Sequence, residues 1–169
     1  MIHLFLGDGQ GKTSAAVGLV VRSLNYAKKI LFVAFLKSGD SGELTWLNNN
    51  STVEILAQAD WCGFVKDCNP QEFTLVKDQQ RHLWEKVKAQ YRDYQLIVLD
   101  ELTDLITLEI LSLSEVLEFL QNSDPDSEIV ITGHQIYPEL VVLADYYSEL
   151  KQHQHPYQKG QKARPGNEF

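Results

Sequence analysis

Residues 7–14 read Gly-Asp-Gly-Gln-Gly-Lys-Thr-Ser, set between an apolar run, Met1–Leu6, and a stretch of helical periodicity. Glycines at alternate positions let a backbone turn tightly and aim several N–H groups at one point. A helix that starts where the turn ends adds roughly half a positive charge there. Lys12 supplies a full, mobile charge, and Thr13 a hydroxyl of the kind that ligates Mg2+. Gly7, Asp8, Gly9, Gln10, Gly11, Lys12, Thr13 and Ser14 are therefore a candidate grip for the polyphosphate of a nucleotide such as ATP. The plain alternative is an ordinary glycine-rich turn. The general pattern G-x4-G-K-[ST] wants its first glycine at position 6, where this chain has Leu6, so the first glycine comes one residue late.

A second candidate follows the apolar run Leu96–Leu99, which ends on Asp100 and Glu101. Alone, acids at a strand end are a solvated edge. Beside a phosphate loop, the same carboxylates can hold magnesium directly or through water. Lys37 and His134 also fall at expected strand ends, where each could face a ligand or simply solvent. Cys62 and Cys68 have a C-x5-C spacing that fits neither a zinc pair nor a redox C-x-x-C, and they read as ordinary reduced thiols.

These residues need a scaffold, and the sequence outlines one. Thr13, Ala16, Val17, Val20 and Leu24 recur at helical spacing up to about Tyr26. Ile30–Leu36 is apolar without alternation, which suits a strand buried on both faces. A short helix near Glu43–Leu47 and a strand at Val53–Ala57 follow. Asn69, Pro70 and Glu72 mark the start of a helix reaching about Tyr91. Leu96–Leu99, Glu128–Thr132 and Tyr146–Leu150 read as strands, and the segments from Ser114 to Leu120 and from Pro138 to Ala144 as helices, Ser114 being the expected cap. The alternation predicts an α/β fold: a mainly parallel sheet of five to six strands with helices on both faces, in the manner of a P-loop NTPase (RecA-like) core. Ligands collect at the carboxyl edge of such sheets.

The chain of 169 residues is one domain's worth, read as an α/β domain over 1–150 and a basic tail over 151–169 packed on or near it. That tail carries Lys151, Lys159, Lys162 and Arg164 against Glu168 alone, while the whole chain is at −8. The negative total argues against a nucleic-acid partner and requires a focused site for any anion. No apolar run is long enough to span a bilayer, and the N-terminal residues do not resemble a signal peptide, so a cytoplasmic location without membrane attachment is expected.

Several blocks together resemble the P-loop type of ATP:corrinoid adenosyltransferase, the cob(I)yrinic acid a,c-diamide or cob(I)alamin adenosyltransferases of vitamin B12 metabolism. They are the loop Gly7–Ala16, Gly18 and Arg22 on the first helix, and Phe35-Leu36-Lys37. Farther along come Val98–Thr103, Leu113-x-Glu115-Val116, Ile131-Thr132-Gly133, Leu143-Ala144-Asp145, Ser148-Glu149-Leu150, Gly160-x-Lys162-Ala163 and Gly166-x-Glu168-Phe169. The blocks are collinear over nearly the whole chain and weak only between about Gly39 and Tyr94.

The resemblance implies transfer of the 5′-deoxyadenosyl group from ATP to the Co(I) of a corrinoid, with release of triphosphate. It implies Lys12, Thr13 and Glu101 as catalytic residues, and the loop with Lys37 and His134 as the ATP contacts. Thr13 and Glu101, supported by Asp100, would be ligands of Mg2+ or Mn2+. Trp61 and Phe64 are the candidates for an aromatic corrinoid pocket, with packing in the core as their bland alternative. A reduced flavoprotein electron donor and a homodimer come with the same resemblance. The chain departs from the family's usual pattern at Asp8 and Gln10, where asparagine and lysine are common, and at His134, where arginine is usual. Other readings stay open: another P-loop ATPase or nucleoside kinase, or a relative that binds nucleotide or corrinoid without turnover. The basic tail, with His153, His155 and Tyr157, could help to cover the site.

Overall fold

Ile30–Leu36 holds no polar side chain, and the fold places it in the interior of a sheet, where both faces of a strand must be apolar. The computed structural model describes residues 1–26, 28–38, 41–58, 65, 68–156, 160 and 164. Their elements run β1 (Ile2–Leu6), α1 (Lys12–Leu24), β2 (Ile30–Ser38), α2 (Gly42–Leu47), β3 (Val53–Gln58), α3 (Pro70–Gln90) and a 3-10 turn at Tyr91–Asp93. They continue as β4 (Leu96–Asp100), α4 (Leu102–Thr107), α5 (Leu113–Gln121), β5 (Glu128–Gly133), α6 (Pro138–Leu143) and β6 (Tyr146–Glu149).

The six strands form one sheet in the order β3-β2-β4-β5-β1-β6, and every paired neighbour is parallel. Parallel pairing demands helical crossovers, and these cover both faces. On one face Ala16 and Val20 of α1 and Leu44 and Leu47 of α2 pack against Ile30, Phe32, Ala34, Val98 and Val130. On the other, Trp84 and Val87 of α3 and Val116 and Phe119 of α5 cover Leu31, Val33, Phe35, Ile97, Leu99 and Ile131. Side chains of β1 to β5 alternate between these two clusters, while the edge strand β6 is exposed along its length. Because all strands point the same way, the ends of β1, β2, β4 and β5 gather at one edge.

The expected α/β sheet is present, at the upper strand count. The capping box predicted at Asn69 is formed: its side chain accepts from the Gln71 and Glu72 amides, and the Glu72 carboxylate accepts from the Asn69 amide at 2.8 Å. Three details differ from expectation. The cap of α5 is Ser112 rather than Ser114, its hydroxyl accepting from the Glu115 amide. Helix α4 was not foreseen, because six residues following two acids give too short a periodic signal. Strand β2 runs on to Ser38 through an irregularity after Ala34, where Leu36 takes a left-handed φ of 53°. Leu6, standing where the general loop pattern wants glycine, is fully buried as the last residue of β1.

Candidate active site

The loop between β1 and α1 sits at the carboxyl edge, as its spacing requires. Gly11, with φ at 102°, is the residue from which α1 springs. The amides of Lys12, Thr13 and Ser14 follow it in the first turn, where a helix offers them no carbonyl four residues back. Lys12 is largely buried, and its ammonium donates to the Gly9 carbonyl at 2.8 Å. Burial pushes its pKa down, while Asp104, Glu101 and Asp8 pull the other way.

Not all of the loop is available to a ligand. The Gly7 amide donates to Gly133 and the Gly9 amide to Leu150, so two of its N–H groups serve the fold. A Cβ on Gly7 would lie 2.3 Å from the Leu150 carbonyl oxygen, and one on Gly9 2.7 Å from the Leu150 carbonyl carbon. Both glycines therefore owe their identity to the chain leaving β6, which crosses directly against them. Asp8 joins in: its carboxylate accepts from the Gln152 amide at 3.0 Å. Gln10 and Ser14 are exposed.

Opposite, four sequence-predicted residues converge. Thr13 donates its hydroxyl to Asp100 Oδ1 at 2.9 Å. Lys37 Nζ lies 2.7 Å from Asp100 Oδ2, 2.9 Å from Glu101 Oε1 and 3.2 Å from Thr13 Oγ1. Its carboxylate neighbours drive its pKa up despite burial. Burial raises that of Glu101, with Lys37 opposing. Asp100 is only 1% exposed, and its carboxylate accepts from three side chains, the third being the Thr132 hydroxyl at 2.6 Å. Glu101 stands at a left-handed φ of 63°, with its amide donating to Thr132 Oγ1. Such backbone costs about 1–2 kcal/mol in a residue with a Cβ and is held here by the hydrogen bond below it.

His134, at the end of β5, reaches the same region. Asp104 clamps it twice, accepting from its amide at 3.1 Å and pairing with Nδ1 at 3.0 Å. The bond to Asp104 raises the imidazole pKa, against burial, and Asp104 and Glu101 outweigh the nearby Lys12 charge. Gly133 makes this approach feasible, because a Cβ there would stand 1.9 Å from Thr103 Oγ1.

Two supporting residues escaped the sequence reading. Thr132 was noted only as part of a motif, yet it is fully buried and braces both Asp100 and Glu101. Gln80, fully buried on α3, accepts from the Leu36 amide at 3.2 Å and donates to Gln58 at 2.8 Å, pinning the turn before Lys37. A lone glutamine on the apolar face of a long helix was the signal available. Arg22, in the last turn of α1, is exposed. Trp61 and Phe64 lie outside the described residues, as do Cys62 and Tyr157.

No three His, Cys, Asp or Glu side chains gather as a metal cage among the described residues. The set Thr13, Asp100 and Glu101 still fits Mg2+ or Mn2+, since its oxygens are hard donors already closing on one cation, the Lys37 ammonium. Magnesium characteristically takes only one or two carboxylates and completes its shell with substrate phosphates and water.

The family model described as ATP:corrinoid adenosyltransferase BtuR/CobO/CobP matches residues 1–169. The chain belongs to this family. A corrinoid adenosyltransferase of Escherichia coli K12 is 32% identical over 172 residues, covering 100% of this chain and 85% of that protein. The Salmonella typhimurium LT2 corrinoid adenosyltransferase is 30% identical with the same coverage. That of Pseudomonas aeruginosa PAO1 is 30% identical over 96% of this chain and 80% of its own length. Membership of the adenosyltransferase family thus extends through the weakly matching stretch between 39 and 94. No helix among the described residues is long and apolar enough to cross a membrane.

Proposed function

We propose that this chain transfers the 5′-deoxyadenosyl group of ATP to the cobalt of a reduced corrinoid and releases triphosphate. The observation that carries the reading is the junction of loop and acids: Thr13 bonded to Asp100, with Lys12, Lys37 and Glu101 around it, in a chain matching the adenosyltransferase family end to end. Cobalt(I) is itself a strong nucleophile, so no protein base has to activate it. The substrate cobalt attacks the ribose 5′ carbon, a Co–C bond forms, and the C–O bond to the triphosphate breaks with its electron pair leaving on oxygen.

What remains for the protein is alignment and the charge growing on the leaving group. The first-turn amides of α1 and Lys12 would hold the phosphate chain, with Lys12 turning from the Gly9 carbonyl to phosphate oxygen. Gly7, Asp8, Gly9, Gln10 and Gly11 shape the loop, and Ser14, Lys37 and His134 line its approaches. Thr13 and Glu101, backed by Asp100, would hold Mg2+ or Mn2+, whose charge offsets that of the departing triphosphate. Trp61 and Phe64 remain the candidates for the corrinoid side.

The family resemblance further supports a reduced flavoprotein as electron donor, a homodimer and a cytoplasmic setting. Residues 1–150 would carry the chemistry and 151–169 pack on or near it, a reading supported by the hydrogen bond from the Gln152 amide to Asp8 in the loop.

The test supplies ATP, Mg2+ and chemically reduced cobalamin without oxygen and follows the light-sensitive alkyl-cobalt product by absorbance, together with triphosphate. Lys12→Ala and Glu101→Ala should each lower turnover by roughly a hundredfold or more, the scale of losing one transition-state charge contact, while circular dichroism stays native. Formation of ADP with no cobalt–carbon product would overturn the reading, and turnover like wild type in either variant would overturn the site.

A further inference from the structure

Lys37 invites a question that its role as an ATP contact does not answer. Its ammonium has three protons, and three oxygens from separate places receive them: Thr13 on α1, Asp100 at the end of β4, and Glu101 beyond it. These are the oxygens assigned above to the divalent cation. Two cations cannot share one contact shell, since like charges in a poorly hydrated site repel strongly. The lysine and the metal are therefore alternatives.

We propose that Lys37 is a tethered stand-in for the divalent cation: it fills the cation position when nucleotide is absent and gives it up when metal and nucleotide arrive. The proposal rests on the reading of Thr13, Asp100 and Glu101 as the metal's ligands. The need for a stand-in follows from burial. Asp100 is almost fully enclosed, and a carboxylate so placed beside a second one is costly without a positive partner. The means of exchange follows from the way Lys37 is attached. Its backbone is pinned, because the preceding amide of Leu36 is held by buried Gln80. Its side chain is 28% exposed, so the stem can rotate while the strand stays still. A displaced ammonium has a new partner close by once a triphosphate lies in the loop.

Metal affinity then depends on nucleotide. Without it, an incoming ion must evict a well-satisfied ammonium. With it, the ammonium moves to phosphate oxygen, and the freed carboxylates take the ion. Nucleotide and metal each strengthen the other's binding, as linkage requires.

The experiment uses Mn2+ as the probe and counts free ion by electron paramagnetic resonance over nucleotide-free protein. Lys37→Met and Lys37→Gln should each bind Mn2+ at least tenfold more tightly than wild type, and Glu101→Gln added to Lys37→Met should return the affinity to the wild-type level or below. Adding ATP should raise Mn2+ affinity less in the Lys37 variants than in wild type. Lys37→Gln keeps a donor towards Asp100 and carries the test if the methionine variant does not fold. Equal or weaker Mn2+ binding in the variants overturns the proposal. Since no corrinoid is present, that result leaves the adenosyl-transfer reading standing, whereas tighter Mn2+ binding in the variants, together with no alkyl-cobalt product from the wild-type protein, would sink that reading alone.

Discussion

The two flanks of the phosphate loop are held by different physics. Towards β4, Thr13, Lys37, Asp100 and Glu101 are joined by charge and hydroxyl bonds between side chains. Towards β6, Gly7 and Gly9 lie against the backbone of Leu150 and Lys151, with hydrogen bonds from the Gly9 amide to Leu150 and from the Gln152 amide to Asp8. Side chains can rotate and exchange partners at modest cost. Main chain packed on main chain can do neither. One flank is thus suited to a cation that comes and goes, and the other fixes where the loop sits.

If that contrast is right, the most damaging single methyl group belongs on the rigid flank. Gly7→Ala forces a φ of 119° on a residue with a Cβ and drives that atom to 2.3 Å from the Leu150 carbonyl oxygen. Strain and overpacking together should cost about 3–4 kcal/mol, which at this chain length lowers the melting temperature by roughly 6–16 °C. Nucleotide binding should fall with it. A melting temperature within experimental error of wild type would show that the chain after β6 yields easily, and the contrast would collapse.

The charged flank should respond less to a change of equal size. Asp100→Asn keeps an oxygen for the Thr13 and Thr132 hydroxyls but turns an amide N–H2 towards Lys37, donor against donor. Glu101 remains to hold the lysine, and Lys37 is partly in water, so the expected loss is about 2 kcal/mol rather than the full cost of an orphaned buried charge. Denaturant unfolding measures it. A loss larger than that of Gly7→Ala would reverse the ranking of the two flanks.

The charged flank was also the more legible in sequence. Lys12, Thr13, Asp100 and Glu101 stand in local patterns whose spacing carries the chemistry, and the apolar strands leading to them are unmistakable. The meeting of Lys37 with the acids needed the register of β2 beside β4, where Ala34 pairs with Asp100, and the left-handed turn at Leu36. Neither is written in local periodicity. The rigid flank was readable only as glycines. That Gly7 and Gly9 answer to Leu150, some 140 positions away, follows from β6 pairing with β1. Asp8 illustrates the same limit: by position it is a loop acid near a polyphosphate, whereas in the fold its carboxylate anchors Gln152. Long-range packing assigns such residues their tasks, and one-dimensional patterns do not contain it.

His134 lies beside the charged flank and gives its mildest test, one of pH. Its pKa is raised above 6.5, first by the hydrogen bond to Asp104. A raised imidazole pKa means that folding favours the protonated form, so its contribution is complete below about pH 6.5 and fades as pH rises through the higher folded value. If the imidazolium also faces phosphate, ATP affinity should decline over that same interval. Asp104→Asn removes the partner while burial and the Lys12 charge remain, so the titration midpoint should drop and the decline in affinity should move with it to lower pH. The imidazole is half exposed, which limits the change in affinity to a few-fold. Proton–carbon NMR of the ring gives the midpoint, and calorimetry across pH 5.5–8.5 (about three units, wide enough to bracket an imidazole) gives the affinity. Unchanged midpoints would detach Asp104 from His134, and shifted midpoints with an unmoved affinity profile would remove the imidazole from the phosphate site.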